Sequence, residues 1–260
     1  MTLAEITLLS AAAFAAGAMN ALAGGGTVLT FPALLAFGIP AIQANATSTL
    51  ALVMGIFGSV YGYRRHMPAV APLMLPFGAV SAVGGLLGAL LLTRTSEKAF
   101  STAVPFLLLF ATVLFMANNV FRSLVRIEPL AKTSDLLHRP GLWAVCAFQF
   151  LVAVYGGYFG AGIGILMLAT LGILGMHDIY QMNALKTVLG ALVNIVAAIY
   201  FIWAGLIVWP EALVMTVGAT LGYFSASHFS QRVPPEAVRR IAILIGLGIS
   251  AWLLWKQFYR

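Results

Sequence analysis

Charge is what this chain has least of. Only 8% of its 260 residues are Asp, Glu, Lys or Arg, 62% are hydrophobic, and the mean hydropathy is +1.00. A soluble domain carries about 25% charged residues. Too few are present here to cover a surface facing water, so the composition implies an integral membrane protein. Cysteine is nearly missing as well. The single Cys146 lies in an apolar run, which excludes an internal disulfide, and no Cys/His cluster has metal-ligand spacing. Cys146 reads as a small buried hydrophobe. Runs of like charge are absent, so the net charge of +7 reflects Lys and Arg in short loops rather than a nucleic-acid patch. His-Glu-x-x-His and Gly-x-Ser-x-Gly are also missing. Ser59 and His228 occur among other Ser and His residues, while His66 and His138 fall in loops. No enzyme, metal or cofactor is expected. Met1-Thr2-Leu3-Ala4-Glu5 lacks a basic signal-peptide region and reads as the start of a retained first membrane segment.

What the chain has in abundance is long apolar sequence. Stretches of about 20 residues, the span of a transmembrane helix, run near 3–22, 41–63, 69–93, 99–121, 141–159, 178–204, 207–229 and 237–257. They do not alternate polar and apolar as barrel strands do. Helices are the remaining way to satisfy the backbone in lipid. The longest polar stretch, Arg122 to Arg139, divides the chain into a first membrane repeat (1–122), a central polar loop (123–140) and a second membrane repeat (141–260).

The two halves share a pattern. Ala23-Gly24-Gly25-Gly26-Thr27 precedes an apolar piece, a turn at Gly38-Ile39-Pro40 and then Asn45-Ala46-Thr47-Ser48-Thr49. Gly160-Ala161-Gly162-Ile163-Gly164 precedes an apolar piece, a turn at Gly175-Met176-His177 and then Asn183-Ala184-Leu185-Lys186-Thr187. The offset between matching residues stays at 136 to 138. The apolar pieces 27–37 and 163–174 are about half a span. Half-helices survive at membrane depth only when buried in protein or lining a cavity. The fold expected is therefore an all-α polytopic membrane protein of two pseudo-symmetric repeats. Each has about four transmembrane helices and a Gly-broken half-helix, as in transporters whose site lies between repeats.

Basic residues test the topology. With four crossings per half, a parallel repeat, Lys and Arg divide eight to five between the two faces. If each first segment enters and returns on one face, the repeats are inverted and the division becomes nine to four. The positive-inside bias favours inversion.

Lys186 is the sharpest single signal. A lysine inside a span costs on the order of 2.5 to 3.5 kcal/mol on insertion scales, so it should face a cavity or a partner. It offers a positive charge to an anion. The alternatives are snorkelling to the interface or pairing with Asp178, which lies eight residues away, about 12 Å along a helix. Asn45, Thr47 and Ser48 in the first half, and Asn183 and Thr187 in the second, can donate to anion oxygens. They can equally cap a half-helix or bridge packed helices. Gly24, Gly25, Gly26 with Thr27, and Gly160 with Gly162, can expose N–H groups at half-helix starts, where anions are favoured. Close helix packing is the alternative role. Asn20, Tyr155, Tyr158 and Asn194 form a second tier of cavity candidates. Arg64-Arg65-His66 reads as an inside anchor.

These residues resemble a known family. Ala18-Met19-Asn20-Ala21-Leu22-Ala23-Gly24-Gly25-Gly26-Thr27, Phe31-Pro32, Gly38-Ile39-Pro40 and Ala44-Asn45-Ala46-Thr47-Ser48 look like the first signature of the TauE/SafE family. Tyr158-Phe159-Gly160-Ala161-Gly162 and Met182-Asn183-Ala184-Leu185-Lys186-Thr187 resemble its second. The resemblance implies a multi-pass transporter of a prokaryotic inner membrane, moving sulfite, organosulfonates or related sulfur-containing or carboxylated anions, often outward. Its partners would be the small anion and the bilayer, with a homodimer allowed and nucleic acid excluded. A small-anion channel and a non-transporting membrane assembly protein are the competing readings.

Overall fold

The computed structural model describes residues 1–22, 25–124, 136, 141–229 and 235–259. Gly24 and most of the 123–140 loop lie outside the described residues. The chain folds into ten helices among those residues: α1 (Leu3–Leu22), α2 (Thr27–Ala36), α3 (Ala41–Gly62), α4 (Met67–Arg94), α5 (Glu97–Leu124), α6 (Leu142–Tyr158), α7 (Ile163–Leu174), α8 (Ile179–Trp203), α9 (Trp209–Phe229) and α10 (Pro235–Tyr259). Every apolar stretch read from the sequence is a helix, and both half-length pieces are short helices, α2 and α7. Among the described residues, five helices are long and apolar enough to cross a membrane: Leu3–Ala21, Ala41–Gly62, Met67–Arg94, Glu97–Ala117 and Ile179–Trp203. The protein is a polytopic, all-helical membrane protein. Its exposed surface suits lipid, with Leu75, Leu151, Leu213 and Phe224 outward between Trp143, Trp203 and Trp209 at helix ends.

Glycine geometry explains why α2 and α7 are separate helices. Gly25 ahead of α2, and Gly160 and Gly162 ahead of α7, have φ of +87°, +78° and +76°. A side chain is strained in that left-handed region, and glycine is not. Both short helices also end alike. The N–H of Ile39 bonds the carbonyl of Leu34, and that of Met176 bonds Leu171, each five residues back across a positive-φ glycine, Gly38 or Gly175. This six-to-one closure satisfies carbonyls that a helix end leaves bare.

Small residues set the packing. Gly218 and Gly222 of α9 lie against the backbone of Ser10 and Phe14, so α1 and α9 run parallel and close. Gly84 and Gly88 of α4 lie against the backbone at Phe150 and Val154 in the same manner, so α4 and α6 are also parallel. Without a hydrophobic drive between helices in lipid, such close approach supplies the association. The central pair, α3 and α8, is antiparallel. Thr47, near the start of α3, accepts at 3.1 Å from the N–H of Val208, just past the end of α8. At the other end His66, just past α3, stacks on Tyr180 in the first turn of α8 at 5.3 Å between ring centres.

Candidate functional site

The first two-thirds of α8 carries Asn183, Lys186, Thr187, Gly190 and Asn194. Spacings of three, four and seven to eight residues put these on one helical stripe. That stripe forms one wall of a cavity of about 150 Å³. Ile163, Gly164 and Met167 of α7 form a second wall. Asn20 and Gly25 from the α1–α2 break, Ile56 and Tyr63 from the end of α3, and Tyr223 of α9 complete it. Both broken helices therefore reach the same cavity.

Hydrogen bonds hold the polar groups in place. Lys186 Nζ donates to Asn183 Oδ1 at 2.9 Å, and Asn183 Nδ2 donates to the carbonyl of Ile179 at 2.8 Å. The ammonium is thus oriented by a neutral amide. Gly164 packs beside the lysine stem: a methyl group there would lie in ordinary contact, 3.5 Å from Lys186 Cδ. Asn194 Nδ2 donates to the Gly190 carbonyl at 2.8 Å. Across the cavity, Asn20 Oδ1 accepts from the N–H of Gly26 at 2.6 Å and its side chain also bonds Tyr223. Asn20 therefore ties the start of α2 to α9. At the mouth, burial and then the neighbouring Tyr180 push the Tyr63 hydroxyl above its ordinary pKa, so it stays a neutral donor. Among the described residues lining the cavity, Lys186 is the only charged side chain. Chemically the cavity is a neutral, donor-rich chamber with one cation, and it suits a small anion.

The structure brings Asn20, Gly25, Asn183, Lys186, Thr187 and Asn194 together at this cavity. The other candidates lie elsewhere. Asn45 is buried and donates to the carbonyl of Tyr158 at 3.0 Å. Thr47 holds Val208, and Ser48 shares a 2.6 Å hydrogen bond with Thr30. Gly26 and Thr27 begin α2, and Gly160 and Gly162 shape the α6–α7 break. Tyr155 donates to the Ala161 carbonyl at 2.6 Å, and the Tyr158 hydroxyl meets Thr95 Oγ1 at 3.4 Å. Tyr63 and Tyr223 were not picked out from sequence. A tyrosine inside an apolar span, as at Tyr223, and one next to the Arg64-Arg65 turn were the available signals.

A bundle of apolar helices with breaks around a polar cavity fits one class, the multi-pass membrane transporters. Comparison with known proteins gives the family. The family model described as sulfite exporter TauE/SafE matches residues 9–253, so the chain belongs to the TauE/SafE family. It is similar to "Probable membrane transporter protein ORF9" of a Sinorhizobium species, at 26% identity over 96% of this chain and 92% of that protein. It is also similar to "Probable membrane transporter protein YfcA" of Escherichia coli K12, at 27% over 94% of this chain and 88% of that protein. A "Probable membrane transporter protein" of Haemophilus influenzae is 26% identical over 97% of this chain and 95% of its own length. No solved structure matches the chain significantly.

Proposed function

We propose that this protein is a secondary transporter of a bacterial inner membrane that exports small oxyanions. Sulfite, organosulfonates and related sulfur-containing or carboxylated anions are the cargo, moved by alternating access between two inverted repeats. The observation that carries the reading is the Lys186–Asn183 pair in an otherwise uncharged polar cavity. Inversion is supported by the antiparallel run of α3 and α8, the matched packing of α1 on α9 and α6 on α4, and the shared closure of α2 and α7. Tyr63 lines the cavity next to the exposed Arg64 and Arg65. The positive-inside bias puts that face in the cytoplasm, which makes the conformation inward-facing. Moving an anion outward from a cell negative inside gains about 2.3 kcal/mol per charge per 100 mV, so no coupling ion is needed. The rings of Phe31, Phe100, Tyr158 and Phe159, packed edge-on against one another, favour this reading over a continuously open pore.

Thermal unfolding of the detergent-solubilised protein against sulfite, thiosulfate, sulfoacetate and short carboxylates tests this reading. A ligand at a hundred times its dissociation constant adds about 2.7 kcal/mol, which moves the midpoint by several degrees. Flat midpoints across the panel, together with no efflux from loaded proteoliposomes, would defeat it.

The basic turn makes a second prediction. Arg64 and Arg65 are exposed and directly follow Tyr63, which lines the cavity, so in this reading they raise the local anion concentration. The double variant Arg64→Gln/Arg65→Gln should raise KM several-fold at low salt with little change in turnover. The difference should vanish near 1 M salt, where screening acts within about 3 Å. A salt-independent KM ratio would remove the turn from the entry path.

A further inference from the structure

A tyrosine inside an apolar helix carries a hydroxyl that needs a partner, because a buried O–H without one is costly. Tyr155, Tyr158 and Tyr200 find theirs within the protein. Tyr155 donates to the Ala161 carbonyl at 2.6 Å, and Tyr158 and Tyr200 pair with the hydroxyls of Thr95 and Thr93 at 3.4 and 3.2 Å. Tyr223 of α9 differs. Its side chain is buried, and its one polar contact among the described residues is the side chain of Asn20.

The Tyr223 ring reaches the cavity by crossing α3 at Gly55. A methyl group on that glycine would collide with Cδ2 and Cε2 of Tyr223, so the ring lies against bare backbone. Beyond it the hydroxyl end meets Asn20, and both residues line the cavity that Lys186 also lines. The Asn20 side-chain oxygen is taken by the N–H of Gly26 at 2.6 Å. The Asn20 amide N–H is left for Tyr223, and an N–H only donates. In this bond the Tyr223 oxygen is therefore the acceptor, and its own proton is unspent. Gly26, Asn20 and Tyr223 form a relay whose last donor stands in the wall of the cavity.

We infer that the Tyr223 hydroxyl is a second contact of the bound anion, donating to one of its oxygens, and that Asn20 holds the hydroxyl in that direction. The inference rests on the anion-transport reading above and adds specificity to it. Lys186 supplies charge from α8, which attracts any anion. Tyr223 supplies a directed neutral donor from α9, which favours an anion with an oxygen along that O–H. Accepting a bond from Asn20 also makes the hydroxyl a stronger donor, because linked hydrogen bonds polarise one another.

The test grades the donor at one position in the full-length, detergent-solubilised protein, with sulfite and sulfoacetate titrated by calorimetry. Tyr223→Phe removes the hydroxyl and keeps the ring. It should raise Kd about tenfold, with a ligand-free melting midpoint close to wild type. Replacing Tyr223 by 3-fluorotyrosine makes the phenol more acidic and a better donor, and should lower Kd below wild type. Packing alone, or a hydroxyl that holds only water, gives one Kd across the three proteins and would overturn the contact. The Asn20→Ala and Tyr223→Phe double variant tests the positioning role. Because Asn20 acts through Tyr223, its Kd should match the worse single variant. Losses that multiply would remove Asn20 from that role. Wild-type protein that binds neither anion would defeat the transporter reading and the Tyr223 contact together, whereas wild-type binding with a flat series defeats the contact alone.

Discussion

Lys186→Ala is expected to leave the protein inserted and folded but unable to bind or export its anion. The lysine is the only charge among the described cavity-lining residues, and it is aimed by Asn183 at 2.9 Å. A charge-assisted hydrogen bond contributes about 1.5–3 kcal/mol, and the Coulomb attraction at 4 Å in a partly buried site is about 4 kcal/mol at an effective dielectric of 20. Loss of roughly 3 kcal/mol weakens binding by about a hundredfold. Folding should not suffer, because removing a lysine from a span relieves an insertion penalty of similar size. Lys186→Arg separates charge from shape. It keeps the cation but replaces a compact ammonium with a broad planar fork, in a chamber of about 150 Å³. Binding should recover in part and turnover should stay low. Sulfite titration by thermal shift, paired with efflux assays, reads both effects. Full transport in Lys186→Ala would exclude Lys186 from the site.

Gly88→Val is expected to have the largest effect on assembly. A methyl group at Gly88 would collide with the Val154 carbonyl oxygen and lie 2.7 Å from the Tyr158 nitrogen and 2.9 Å from the Gly157 carbonyl carbon. All three are backbone atoms of α6, so no side chain can rotate aside. Only separation of α4 from α6 relieves the clash, and that pulls apart the interface on which Gly84 and Gly157 also close. Overpacking of a well-filled core costs typically about 1–3 kcal/mol, and a rigid backbone contact should exceed that range. The variant should yield little monodisperse protein on size exclusion, and unfold at lower denaturant. Gly248→Val is the matched control, since no atom lies within 4 Å of the added group. Equal behaviour of the two variants would refute the close-packing account.

Much of this architecture was legible in the chain. Apolar runs must be helices when water is unavailable to the backbone, so the spans and the half-length pieces 27–37 and 163–174 could be placed without coordinates. The clusters at Gly25 and Gly160 could be read as breaks because only glycine tolerates the backbone they adopt. The α8 part of the site was equally readable, because a single helix with known periodicity carries Asn183, Lys186, Thr187 and Asn194. The role of Asn45 was not. Its repeat position matches Asn183, yet it lies behind the Tyr158 carbonyl, away from the cavity. Pattern similarity reports matching positions in the two halves and is silent on which of the two side chains reaches the cavity.

The amino-acid sequence by itself determined the membrane setting, the helices, their breaks and the one costly cation, because each follows from local chemistry against lipid. Tertiary structure alone decided that Tyr63, Asn20 and Tyr223, from distant segments, share a cavity with Lys186. It also packed the rings of Phe31, Phe100, Tyr158 and Phe159, from α2, α5 and the end of α6, against one another. Those are choices among helix packings built from the same small-residue contacts, and packing energy depends on where backbones meet in space, a property no stretch of sequence carries alone.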